Sequence, residues 1–298
     1  MACRLIINAD DFGLTLGVNR AIAELHRAEV LTSATLMATG AAFEDAVAIA
    51  HANPSLGVGC HIVLTDGDPV SPPNSISSLL GEDGKSFRPS LLDFMQALLR
   101  GAVREEEIER EAFAQVEKLQ QAGIAVTHLD THKHTHLFPA VARPLLRVAQ
   151  RCSIGAVRNP FEPAWSSRLA PNAFVRRLQF HILSILGKRS FESLPQLRDG
   201  RVLTPEGTIG VSATGQLDKA SLHKILHAIP KGTWELVCHP GYNDEALSAI
   251  ATRLRATREI EREALLQEIP EAIRTVSGLE LIHYGEMGQS HRYYERSL

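Results

Sequence analysis

The sequence predicts an α/β fold, a distorted (β/α) barrel of seven or eight mostly parallel strands. Three observations predict it. Short β-branched runs alternate with amphipathic helical stretches, the pattern of strands joined by helical crossovers. Seven or eight such units fit within 298 residues, since a barrel of this kind takes about 250. Several strand ends carry polar residues, where such barrels keep their functional groups. A doubly wound open sheet is the competing arrangement.

The elements follow in order. Arg4–Ala9 reads as a strand, and Val18–Glu29 as a helix with Ala21, Ile22 and Leu25 on one face. Thr32–Met37 is a second strand, Ala42–His51 a second helix and Leu56–Leu64 a third strand. Glu105–Ala122 is a charged helix stopped by Gly123, and Ile124–Asp130 a fourth strand. Phe138–Arg151 reads as a helix with Pro139 in its first turn, followed by a strand at Gly155–Arg158. Thr208–Ala213, Trp234–Cys238 and Leu279–His283 are later strands, with helices at Asp218–Ala228 and Glu245–Thr275. The chain reads as one domain, 1–298, with insertions near 65–95 and 159–205 at the barrel mouth.

Composition narrows the function. Lys plus Arg is 31 and Asp plus Glu 34, a net charge of −3, so no basic excess drives the chain toward nucleic acid. No stretch approaches the roughly 20 apolar residues of a membrane span. Asp10 and Asp11 interrupt the first apolar run, which argues against a signal peptide. Cys3, Cys60, Cys152 and Cys238 are far apart, without a CxxC pair, and read as thiols of a reducing compartment. A cytoplasmic enzyme is the expectation.

The residues that carry chemistry lie at strand ends. The first strand ends in Asn8-Ala9-Asp10-Asp11-Phe12-Gly13, the third carries Gly57-Val58-Gly59-Cys60-His61, and a late one ends in Cys238-His239-Pro240-Gly241. The fourth leads into His128-Leu129-Asp130-Thr131-His132-Lys133-His134-Thr135-His136, four imidazoles in nine residues with no obvious packing need. Strand alternation places Gly57, Gly59 and His61 on one face, with room beside the glycines for a ligand, and His128, Asp130 and His132 on another. Two imidazoles and a carboxylate with open positions make a catalytic metal site. His61, His132 and Asp11 are the expected ligands. Asp10 needs a different role from its neighbour, and a turn at the strand end lets it face a bound water.

Together these motifs resemble the YdjC-like (ChbG/HpnK) carbohydrate deacetylases. The matching segments are Asn8–Gly13, His61–Thr65, Thr127–His136 and His239–Tyr242, in the family order. The resemblance implies a NodB-deacetylase-like distorted barrel, one divalent metal ion (Zn²⁺ or Mg²⁺), and removal of an N-acetyl group from an N-acetylglucosamine-type sugar. It puts the metal ligands on Asp11, His61 and His132, the catalytic base on Asp10 and the general acid on His239. It also implies a homodimer as a family-level expectation.

The runs Asp130–His134 and Ala156–Pro163 look more like the hopanoid-associated branch, which makes the substrate an N-acetylglucosaminyl hopanoid. A chito-oligosaccharide is the alternative. Asn172–Arg189 reads as a basic amphipathic helix, suited either to peripheral contact with a membrane or lipid tail, or to ordinary packing. Arg158, at a strand end, is expected either to bind a sugar hydroxyl of the substrate or to form a structural ion pair. The rivals from other classes are a metal-dependent phosphoesterase, a non-haem iron oxygenase and a non-catalytic metal-binding module.

Overall fold

The computed structural model describes residues 3–169, 187–250 and 252–288. Strand β1 (Cys3–Phe12) is the centre of the sheet, and nine of its ten residues are buried. A strand covered on both faces has little use for polar alternation, which explains the apolar run before Asn8. Around it lie β2 (Ser33–Leu36), β3 (Gly57–Ile62), β4 (His128–Thr131), β5 (Ala156–Val157), β6 (Thr208–Ile209) and β7 (Gly232–Cys238). Their order is β5-β4-β3-β2-β1-β7-β6, and a short β8 (Leu279–Leu281) pairs with the start of β1. Every ladder between named strands is parallel.

That path is the circular order of a barrel opened between β5 and β6. One segment brings the two ends together. Leu203 bridges to Ala156 beside β5, and five residues later Thr208–Ile209 pair with Glu235–Leu236 of β7. The predicted distorted barrel is therefore the observed fold, irregular because β5 and β6 have only two residues each.

Helices α1 (Leu16–Arg27), α2 (Phe43–Ala52), α3 (Leu91–Leu99), α4 (Glu105–Gln121), α5 (Pro139–Arg151), α6 (Lys219–His227) and α7 (Ala256–Thr275) complete the crossovers and the insertion. Two of them differ from expectation. The insertion near 65–95 runs into α3, which starts at the Ser90 cap and buries Phe94 and Ala97. The helix expected at Glu245–Thr275 is broken: a short helix ends at Ala249, and α7 starts afresh at Ala256. Ile250 and Arg255 have non-helical backbone angles, and the break re-aims α7 so that its first turns reach the barrel mouth.

Of the amphipathic stretch Asn172–Arg189, residues 172–186 lie outside the described residues. Among the described residues, no helix is long and apolar enough to cross a membrane.

Helix α4 holds the first insertion through one face. Gln115 exchanges two hydrogen bonds with the backbone of Val63, at 2.9 and 2.7 Å. One turn earlier Glu111 accepts from the N–H groups of Val70 and Ser71, both at 2.9 Å. Glu107 accepts from Ser78 N–H at 2.7 Å. The i, i+4, i+8 spacing aligns all three on one stripe. Glu111→Ala strands two donors against a buried site, so it is expected to cost about 3 kcal/mol. A urea denaturation midpoint checks this, and an unchanged midpoint would mean that water replaces the carboxylate.

Candidate active site and metal centre

The strand ends deliver Asp10 and Asp11 from β1, His61 from β3, Asp130 from β4, and His132 just beyond β4. Consecutive carboxylates on a regular strand would face opposite sides. Here Asp11 takes a positive φ of 65°, and the β1–β2 register shifts between Ala9 and Phe12. The strand end thus turns, and both carboxylates reach one site, as the sequence reading required.

Asp11 Oδ1 lies 3.5 Å from His132 Nδ1 and 3.7 Å from His61 Nε2. The two imidazole nitrogens are 3.3 Å apart. Ligand atoms about 2.1 Å from a zinc ion at tetrahedral angles stand roughly 3.4 Å from one another, so the three atoms fit a divalent cation. His61 Nδ1 is 2.7 Å from Asp130 Oδ1, the carboxylate–imidazole contact that leaves Nε2 free to bind a metal. Burial pushes His61 toward the neutral form. The carboxylates of Asp130, Asp10 and Asp11 outweigh it and raise the group to about 9.

A second grouping, Asp10, His61 and Asp130, also brings three possible ligands together. Its oxygens are already taken. Arg158 donates to Asp10 Oδ1 at 2.6 Å and Oδ2 at 3.0 Å, and lies 2.5 Å from Asp130 Oδ2. The Asp11–His61–His132 grouping is the better cation site.

Of the two roles open to Arg158, the structural ion pair is the one its surroundings favour. It is fully buried rather than open to a sugar hydroxyl. Its guanidinium also pairs with Glu235, at 2.6 to 3.0 Å, so it joins β5 to β1, β4 and β7 as a structural ion pair. Burial alone would raise the Asp10 carboxyl, but the Arg158 charge, aided by His61, holds it far below the usual carboxylate range. Glu235 is pushed up by burial despite Arg158, and accepts the Tyr284 hydroxyl at 2.5 Å.

His239 reaches the same site from the end of β7. Its Nε2 is 3.8 Å from Asp10 Oδ2 and its Nδ1 is 3.9 Å from Glu261 Oε2. Glu261 also accepts the His239 backbone N–H at 2.7 Å. On the opposite side of the centre, burial would raise Asp11, and the Arg258 charge with His132 holds it well below its ordinary value.

The four-histidine run divides. Only His132 joins the ligand cluster. His128 stacks on Tyr284 with ring centroids 3.7 Å apart, and its Nε2 meets Asn8 Oδ1 at 3.2 Å. His136 Nδ1 meets Thr131 Oγ1 at 2.6 Å. Burial lowers both imidazoles and keeps them neutral. Lys133 and His134 have φ of 56° and 52°, a tight turn that carries the chain away after His132. His134 is partly buried and lowered to about 3, first by burial and then by Arg158.

The glycines of β3 serve side chains rather than a ligand, contrary to the sequence reading. A Cβ on Gly59 would lie 2.5 Å from the His128 ring, and one on Gly57 2.9 Å from His283. The four cysteines are free thiols. Cys60 and Cys238 are buried, and burial raises both thiols. The groups missed in the sequence are Glu235, Tyr284, Arg258 and Glu261. Glu235 carried a signal, a charge in the middle of an apolar strand. Arg258 and Glu261 carried none, because they sit in the Arg- and Glu-rich first turns of a helix, where charges are ordinarily solvated.

A model of the YdjC-like protein family matches residues 4–273. A carbohydrate deacetylase of Geobacillus stearothermophilus is 31% identical over 285 residues, covering 94% of this chain and 96% of that protein. One of Brevibacillus brevis (strain 47) is 44% identical over 158 residues, 53% of this chain. The match spans 60% of that relative's length. The solved structure of a protein from Enterococcus faecalis V583, described provisionally as cleaving cellobiose phosphate, aligns with a TM-score of 0.78. It is 26% identical, and the match covers 96% of this chain and 99% of that one.

Proposed function

Because this chain belongs to the YdjC-like family, we propose that it is a carbohydrate deacetylase, a metal-dependent hydrolase of the N-acetyl group on an N-acetylglucosamine-type sugar. The observation that carries the reading is the convergence of Asp11 Oδ1, His61 Nε2 and His132 Nδ1 beside a separate carboxylate, Asp10. Relatives named as carbohydrate deacetylases support the substrate class. Asp11, His61 and His132 would hold one divalent ion, Zn²⁺ or Mg²⁺, and their mixed nitrogen and oxygen donors suit Zn²⁺ or another transition ion. Bound there, such an ion supplies polarisation of the acetyl carbonyl and a more acidic water.

The chain's own groups do the rest. Asp10 accepts the water proton as general base. Arg158 keeps this carboxyl ionised, the form that can accept a proton. His239 Nε2, 3.8 Å from Asp10 Oδ2, protonates the departing sugar amine, a poor leaving group without that proton. Phosphoester hydrolysis would want cationic groups free to meet the phosphate, and both site arginines are engaged by carboxylates.

The finer substrate in this reading is an N-acetylglucosaminyl hopanoid, supported by the likeness of Asp130–His134 and Ala156–Pro163 to that branch. A cytoplasmic enzyme in peripheral contact with the membrane would go with it. The test is acetate release from N-acetylglucosamine oligosaccharides and from an N-acetylglucosaminyl lipid, by metal-loaded protein with and without chelator. Release abolished by chelator is expected, with the lipid the faster substrate; faster oligosaccharide turnover would return the substrate to chito-oligosaccharides. His132→Ala should lose metal and activity together. A metal-replete, active His132→Ala protein would remove this residue from the ligand set.

A further inference from the structure

Arg258 is the least expected group at the centre. It lies in the first turn of α7, is 1% exposed, and donates from Nη2 to Asp11 Oδ2 at 2.5 Å. Its Nε is tied to Leu254 O at 3.0 Å. Among the described residues Asp11 is its one ion-pair partner, and Nη1 is buried without a hydrogen bond. The turn after His239 is shaped around it. A Cβ on Gly241 would lie 2.9 Å from Arg258 Cδ, and Gly241 N–H donates to Arg258 O at 3.3 Å.

Burying a guanidinium is costly before its pairing is counted. Beside a cation site its charge also opposes the cation. Metal affinity is therefore a poor reason for its presence. What the contact does is geometric. Asp11 has two oxygens; Oδ1 faces the two imidazole nitrogens, and Arg258 holds Oδ2 away on the other side.

We propose that Arg258 is a positioning residue that restricts Asp11 to ligation through Oδ1 alone, keeping open a coordination position that the second carboxylate oxygen would fill. This rests on the metal-centre reading above. An open position is what a substrate carbonyl or a water needs at a catalytic site, whereas a closed set of ligands suits a structural one.

The test compares wild type, Arg258→Met and Arg258→Lys, each loaded with Co²⁺. Methionine keeps most of the volume and removes the donor; lysine keeps an N–H. Three quantities are read: Co²⁺ affinity by chelator competition, the visible and X-ray absorption of the bound ion, and the kcat and KM of acetate release. Arg258→Met is expected to bind Co²⁺ at least as tightly as wild type, to gain one oxygen ligand, and to lose about 10- to 100-fold in kcat. KM should stay close to the wild-type value. Arg258→Lys should restore the wild-type spectrum and most of kcat.

An unchanged Co²⁺ spectrum in Arg258→Met, with only a lowered melting temperature, would make the residue merely structural and overturn the proposal. Loss of Co²⁺ binding by tenfold or more would overturn it in favour of a role in affinity. If wild type releases no acetate from either sugar, the spectra still decide the positioning role, and only the deacetylase reading fails.

Discussion

Asp10→Asn is expected to lower acetate release by about 10²- to 10⁴-fold while the protein keeps its metal. The substitution conserves size and removes the ability to take a proton. Asp11, His61 and His132 are untouched, so metal content by elemental analysis should match wild type. The fold should persist as well, because Arg158 retains Glu235 and Asp130 when Asp10 becomes an amide. Circular dichroism and a thermal melt would confirm that the comparison is between folded proteins. Metal loss in step with activity would have a specific meaning. It would move the ion toward the second grouping, Asp10–His61–Asp130, and make Asp10 a ligand rather than the base.

Arg158→Met should have the largest effect on stability, about 3–5 kcal/mol at neutral pH. It removes the cation that three buried carboxylates share and leaves Asp10, Asp130 and Glu235 facing one another in the barrel. The pH dependence gives the sign. In wild type the Asp10 carboxyl is held below its ordinary value, so its contribution is present above that value and is lost as pH falls through the folded one. Without Arg158, burial and mutual repulsion raise the carboxyl groups instead. The variant should then gain stability relative to wild type as pH falls from 7 toward 5. Urea midpoints at the two pH values measure this. A deficit that is equal at both would mean that the loss comes from packing around the aliphatic stem rather than from unpaired charge.

Much of this centre could be read along the chain, for a physical reason. His61, Asp10, Asp11 and His132 lie at the ends of β1, β3 and β4 or one step beyond. A parallel barrel collects its strand ends at one mouth whatever the details of packing. His61 of β3 and Asp130 of β4 are register partners in the ladder, a pairing that the alternation along each strand did not specify. Strand and helix order followed from local periodicity, which depends on neighbours three or four residues away.

What local pattern left open or missed shares the opposite cause. Arg158 read as a mouth residue because β5 ends there, but its environment is set by Asp10, Asp130 and Glu235, between 28 and 148 residues away along the chain. The break between Ala249 and Ala256 has no proline or glycine to mark it, so the helix looked continuous. In the charged pattern of α7, Arg258 and Glu261 cannot be told from the solvated residues around them until the helix is docked. Gly57 and Gly59 announced a close approach, but only the folded sheet reveals that the approaching atoms belong to His283 and His128.

By itself, then, the sequence determined the succession of strands and helices and which residue types stand at the strand ends, since both depend on chain periodicity. The tertiary structure alone decided how each carboxylate is held: Asp10 by Arg158, Asp11 by Arg258, His61 by Asp130. Those assignments depend on which buried charges come within about 3 Å of each other, a distance that no local pattern encodes and that burial makes energetically decisive.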